Sequence, residues 1–119
     1  MKRGELWTLQ DKGYASKARP VLIVQADIAD NFESIILCLF TTYNSENIST
    51  RLKIEPSIKN GLEKISYVMT EKIITVEKAM LGKCIGCLSE DEMHKIAGKL
   101  AKILHIQRND IEETGKALS

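Results

Sequence analysis

Hydrophobic and polar positions along this chain fall into two regimes. As far as residue 88 the apolar residues come in short runs or alternate with polar ones, and from residue 89 they recur at intervals of three and four. The first regime is the signature of strands and the second of an amphipathic helix. The clearest strands are residues 19–25 (RPVLIVQ) and 35–42 (IILCLFTT), β-branched or large apolar runs too short for free-standing helices. A weaker alternation at 5–10 predicts an earlier strand, and residues 11–17 (DKGYASK), polar and turned at Gly13, predict the loop that leads to Arg19. Residues 26–31 read as a wide loop or one helical turn.

Downstream, residues 43–49 form a polar loop, and 51–55 alternate with Leu52 and Ile54 on one face, a half-exposed strand that Pro56 ends. Lys59-Asn60-Gly61 is a turn. Three further extended pieces follow at 65–70, 71–76 and 80–88, with Gly82 and Gly86 as bends or bulges. Ser89-Glu90-Asp91-Glu92 then fits a capping box, and Met93, Ile96, Ala97, Leu100, Ile103 and Leu104 line one side of a helix of about four turns laid on the sheet. His94, Lys95, Lys99 and Lys102 fall outside that stripe. Many short strands and one C-terminal helix make an α+β domain: a small antiparallel barrel or strongly curved sheet with a helix packed on it. Residues 1–107 are expected to form one domain, with 108–119 a tail carrying at most a marginal helical turn.

Composition changes this picture little. The 119 residues suffice for one domain with a modest core, and the net charge of +1 announces neither nucleic acid nor a membrane surface. No run approaches the roughly 20 apolar residues of a membrane span. The opening MKRGELW has no apolar stretch behind its basic residues, so it does not read as a secretory signal. Three cysteines, an odd number, are expected to stay reduced, and the expected compartment is the cytoplasm.

Candidate chemistry is sparse. Cys84-Ile-Gly-Cys87 has the spacing of half a zinc site, but Cys38 lies inside a core strand and His94 and His105 lack the spacing of a second ligand pair. The cysteines are read as structural, and no metal or cofactor is assigned. Trp7 reads as a core or interface anchor. The more informative pair is Arg19 and Thr41. Were the two strong strands antiparallel neighbours, the start of one would lie beside the end of the other, and a guanidinium and one or two hydroxyls would share one sheet edge.

The order of these segments resembles the MazF/PemK (Kid) family of toxin endoribonucleases from bacterial toxin–antitoxin pairs, over residues 2–106. KRGELW matches the family's opening strand, ARPVLIVQADI its Arg-Pro strand, and LFTT the strand that ends in a Ser or Thr. NGLEKISYVMTEKIITVEKAMLGKCIGCLSEDEM follows a later segment of the form S-x-V-x-x-(D/E)-Q-(I/V)-(R/K), then an I-G-x-L-(S/T) step into the last helix. The resemblance implies an SH3-like, CcdB/MazF-like fold, with Arg19 at the family's catalytic arginine position and Thr41 at its catalytic threonine position. The adjacent Thr42 leaves a one-residue choice. It further implies a homodimer with single-stranded RNA in a groove at the interface, a cognate antitoxin whose acidic segment occupies that groove, and metal-independent cleavage by the ribose 2′-OH. Lys17, Thr42, Tyr43 and Lys72 are the expected RNA-binding residues, with Tyr14 also near the site in sequence.

The chain departs from the family pattern in three places. Lys72 replaces the Gln that follows the acidic residue, Ile74 replaces a basic residue, and the loop between the first two strands is short and lacks the relatives' Ser-Glu-Gln. These positions border the family's RNA groove, so an altered recognition sequence is expected. The rival reading is a non-enzymatic toxin of the gyrase-inhibiting CcdB type, which shares the fold but ends in a Trp-Gly-Ile that this chain, ending Lys-Ala-Leu-Ser, lacks. A third reading is a zinc-stabilised regulatory protein using Cys84 and Cys87.

Overall fold

The computed structural model describes residues 1–10, 18–29 and 31–111. The predicted loop at 11–17, including Lys12, Tyr14 and Lys17, lies outside these residues, as does the end of the tail. Six strands form one open antiparallel sheet: β1 (Glu5–Leu9), β2 (Arg19–Ile23), β3 (Ser34–Thr41), β4 (Arg51–Ile54), β5 (Ser66–Glu77) and β6 (Leu81–Cys87). Their order across the sheet is β4-β5-β3-β2-β1-β6. The sheet is curved, and of the two expected forms it takes the open one and not a closed barrel. Its two edges are protected in different ways: β4 is only four residues long and carries Arg51 and Lys53, and β6 is broken by register shifts.

Each strand has two faces, and the chain fills both. Leu22, Cys38, Ile54 and Val68 point to one cluster, which also takes in Leu6, Leu88 and Ile96. Val21, Ile23, Ile35, Leu37 and Leu81 form a second, on which Trp7, Leu9, Leu39, Ile74 and Val76 pack half-buried. The first is roofed by α1 (Glu90–Ile103), whose capping box forms as expected: the Glu92 amide donates to Ser89 Oγ at 3.1 Å, and the Ser89 amide to Glu92 Oε1 at 2.8 Å. Ile96 is the buried residue of that helix, with Met93 and Leu100 beside it. The expected apolar stripe is longer than the surface beneath it. α1 rests on β5 and β4, and Ala97, Ile103 and Leu104 are exposed. Residues 108–111 are helical again.

The extended pieces at 65–70 and 71–76 are one strand. β5 pairs with β3 from Ser34↔Glu77 to Cys38↔Ile73 and resumes at Leu39↔Met69, so residues 70–72 bulge out of the ladder. Met80 closes a short 3-10 turn (Lys78–Met80) ahead of β6, and another turn, Asp27–Ala29, occupies the expected wide loop. Gly86 is required by close approach. A Cβ there would lie 2.3 Å from the Lys59 carbonyl oxygen, so the 59–61 turn can rest on β6 only if residue 86 has no side chain. The Cys87 amide donates to that same carbonyl at 2.9 Å.

Candidate active site

Arg19 opens β2 and Thr41 closes β3, and these strands are antiparallel neighbours. Their ladder pairs Ile23 with Leu37 and Val21 with Leu39. It stops there, next to Pro20, which has no N–H to give. Carried two residues further in the same register, it sets Arg19 opposite Thr41. Each is held from its other side: Arg19 is opposite Leu9 of β1, and Thr41 is opposite Tyr67 of β5. The end of the β2–β3 seam is therefore a notch with fixed lips, a guanidinium on one and a hydroxyl on the other. By strand alternation both share the face of Val21 and Leu39, away from α1.

The two groups are poised differently. Arg19 is exposed and has no hydrogen-bond or ion-pair partner among the described residues. The Thr41 hydroxyl is half-buried and accepts a hydrogen bond from the Tyr43 amide at 3.1 Å. An amide can only donate, so Thr41 Oγ1 is the acceptor and its own proton stays available to an outside acceptor. Thr42 and Tyr43 are exposed, Tyr43 by 69%. A cation unpaired among the described residues, a hydroxyl and an exposed aromatic ring thus lie at one end of the sheet. This suits phosphate gripping and base stacking.

Lys72 does not sit in the notch itself. It is exposed in the β5 bulge, opposite the Cys38–Leu39 step, two residues along β3 from Thr41. Ile74, the other departure, pairs with Leu37 and packs into the second apolar cluster, which explains an apolar residue there. Cys84 and Cys87 lie on β6 opposite Trp7 and Glu5, on the far side of β1 from the notch. Among the described residues no three His, Cys, Asp or Glu side chains gather closely enough to hold a metal ion. His94 and His105 are exposed.

A network with no signal of its own in the sequence lies across β5 from Thr41, at the start of β4. Arg51 Nη2 and Nε donate to Glu71 Oε2 at 2.8 and 3.0 Å, Thr50 Oγ1 donates to Glu71 Oε1 at 2.8 Å, and Arg51 Nη1 donates to Ser45 Oγ at 3.0 Å. Ser45 Oγ in turn donates to the Tyr43 carbonyl at 2.8 Å. Burial alone would raise the Glu71 pKa, but the hydrogen bonds from Arg51 and Thr50 outweigh it and hold the carboxyl below its usual range. Thr70 clips the bulge to β4 by donating from its hydroxyl to the Thr50 carbonyl. Lys99, outside the apolar stripe of α1, reaches to the Ser49 carbonyl at 2.6 Å and fixes the far end of the same loop. Only the acidic position in the family-like segment marked Glu71 in the sequence, and nothing there named its partner.

The chain as a whole has known relatives. The probable endoribonuclease MazF of Mycolicibacterium smegmatis (strain ATCC 700084 / mc(2)155) is 37% identical over 94 residues, 78% of this chain and 86% of that protein. A solved endoribonuclease in complex with its cognate antitoxin, from a mycobacterial species, superposes with a TM-score of 0.76 at 29% identity, covering 90% of this chain and 97% of that one. The Mycobacterium tuberculosis toxin MazF-mt6 shares the fold, with a TM-score of 0.72 at 22% identity over 88% of this chain and 99% of that one. A family model described as the PemK-like, MazF-like toxin of type II toxin-antitoxin systems matches residues 2–104, so that all six strands and α1 fall within it and the chain belongs to that family.

Proposed function

We propose that this chain is a toxin endoribonuclease that cuts single-stranded RNA at specific sequences, with Arg19 and Thr41 as its catalytic pair. The observation that carries the reading is the notch: a guanidinium with no partner among the described residues, set by the strand register opposite a hydroxyl that accepts from an amide and keeps its own proton for another acceptor, in a chain of this family. RNA brings its own nucleophile, the ribose 2′-OH beside the scissile phosphate. The protein must align that hydroxyl, stabilise a phosphorane with added negative charge and assist departure of the 5′-oxygen. Arg19 suits the second task, since a guanidinium stays charged and grips two phosphate oxygens at once. Charge fixed in advance is worth several kcal/mol to such a transition state. Thr41 donates to the same phosphate. Cleavage leaves a 2′,3′-cyclic phosphate, and DNA, lacking the 2′-OH, is not cut.

The relative solved with its cognate antitoxin supports neutralisation by a partner of that kind, and the cytoplasm, where the RNA substrate is found, is the compartment assigned to this activity. The half-buried apolar residues Trp7, Leu9, Leu39 and Ile74 on the face of the notch support a homodimer formed through that face. Tyr43, Thr42, Lys72 and Lys17 are assigned to the RNA, Tyr43 as the stacking ring. The test is cleavage of a mixed single-stranded RNA pool in excess EDTA. Cut ends bearing cyclic phosphate are expected from the wild type, with none from a folded Arg19→Ala chain. Strict dependence on added divalent ions refutes the mechanism. An intact pool moves the weight to a toxin that acts by binding a protein.

A further inference from the structure

We propose that Arg51, clamped by Glu71, is a positioning residue that sets the direction of the Thr41 hydroxyl through Ser45 and the backbone of Tyr43, an inference that rests on the catalytic role of Thr41 proposed above. The argument is one of donors and acceptors. Arg51 has no acceptor, so Ser45 Oγ must accept from Nη1 and must send its single proton elsewhere. That proton goes to the Tyr43 carbonyl. The Tyr43 residue is thereby fixed by its oxygen, and its amide is delivered to Thr41 Oγ1. Since the amide only donates, Thr41 cannot turn its proton inward. The Ser45 hydroxyl is fully directed, and the Thr41 proton is left for an acceptor other than that amide. Without the relay the Thr41 hydroxyl would be free to point its lone pairs outward, the wrong polarity for a phosphate.

The clamp is built for rigidity and is not open to substrate. Arg51 and Glu71 side chains are only 16% and 24% exposed, and Ser45 is 2% exposed. All three guanidinium nitrogens are engaged, so Arg51 is not a second phosphate-binding cation. The β5 bulge exists at this point. Its three residues leave the β3 ladder, Thr70 is clipped to Thr50, and Glu71 arrives beside Thr50 and Arg51 at the start of the neighbouring strand. Lysine could not replace Arg51, because one ammonium point charge cannot hold the carboxylate and the serine in the fixed fork of a guanidinium.

The experiment is a double-mutant cycle on the purified chain, with a single-stranded RNA oligonucleotide carrying the best-cut site of the pool. Ser45→Ala severs the relay but leaves the Arg51–Glu71 pair. It is expected to lower kcat about tenfold at little change in KM, the scale on which small misplacements of a catalytic group act. Arg51→Lys is expected to do the same, with circular dichroism confirming that both chains are folded. In a Thr41→Ala background, Ser45→Ala should have no further effect on kcat, since its only route to the reaction has been removed. A merely structural Ser45 would lower activity equally in both backgrounds, and that result overturns the proposal. Unchanged kcat in both folded single variants, with Thr41→Ala damaging, also overturns it while sparing the catalytic pair. Full activity in Thr41→Ala itself refutes the reading of the site, and the relay with it.

Discussion

Ile96 offers the sharpest test of how the two faces of the sheet divide their work. It is fully buried, the one residue of α1 that reaches the floor of the first apolar cluster, among Leu6, Leu22, Cys38, Ile54 and Val68. Ile96→Ala removes three carbons there and leaves a hole that the sheet cannot collapse to fill, a change that costs about 3–4 kcal/mol. A domain of this length gains about 0.25 kcal/mol per kelvin of unfolding entropy near its midpoint, so the melting temperature should fall by roughly 12–16 °C. The notch lies on the opposite face, and none of its residues or those of the relay belongs to this cluster. Catalysis at temperatures where the variant is fully folded should therefore be unchanged within about twofold. The measurements are thermal unfolding by circular dichroism, at one fixed protein concentration because self-association would shift the midpoint, and cleavage of a single RNA oligonucleotide at low temperature. A shift of under about 4 °C would mean that α1 is not docked as a core element. A large loss of kcat in folded Ile96→Ala would mean that the helix face and the notch are coupled.

Three further outcomes follow from side-chain environment. Burial, with Glu71 nearby, pushes the Cys38 thiol up to about 11, so at pH 8 iodoacetamide should modify Cys84 and then Cys87 while Cys38 reacts only after unfolding; mass spectrometry showing Cys38 modified in the folded chain would refute its placement. Because the folded carboxyl of Glu71 titrates low, its contribution is whole above the unfolded value of about 4.3 and is lost as pH falls through the folded value. Glu71→Gln should thus cost about 1–3 kcal/mol in urea unfolding at pH 7, with the difference from wild type shrinking below about pH 4, and a gap that widens in acid would contradict the sign. Lys72→Gln should change which sites are cut in the RNA pool more than the rate at the best site, since lysine offers a base only donors where glutamine offers both kinds of bond; identical cut-site profiles would make Lys72 a plain surface lysine.

What could be read from the sequence was whatever depends on neighbours in the chain. The β2 and β3 runs and the Ser89–Glu92 capping box are local patterns, and the structure has them within a residue or two. The single strand β5 was hidden because its middle, Thr70-Glu71-Lys72, is polar and breaks the alternation, which in sequence looks like a gap between two strands. The break is a bulge whose polar groups are satisfied by Thr50 and Arg51, some 20 residues away. Alternation correctly put Arg51 on the face opposite Leu52, but it carries no information about which group waits there. Helical periodicity likewise named the residues of one stripe on α1 without saying that Ile103 and Leu104 would be left exposed.

The bulge has a consequence for how such a site changes. Glu71 and Lys72 are adjacent, yet the first turns to Arg51 and is mostly covered, and the second is exposed. A regular strand opposite β3 would tie both residues to ladder positions, and substituting either would disturb the pairing of the other. Out of the ladder, Lys72 has no cross-strand partner to satisfy, while Glu71 keeps its place through three hydrogen bonds from Thr50 and Arg51. On the proposed assignment, residue 72 faces the RNA and residue 71 holds the relay to Thr41, so base preference can be altered at one position without moving the reacting hydroxyl. The Lys at position 72 beside an intact acidic residue at 71 is the pattern that this separation permits.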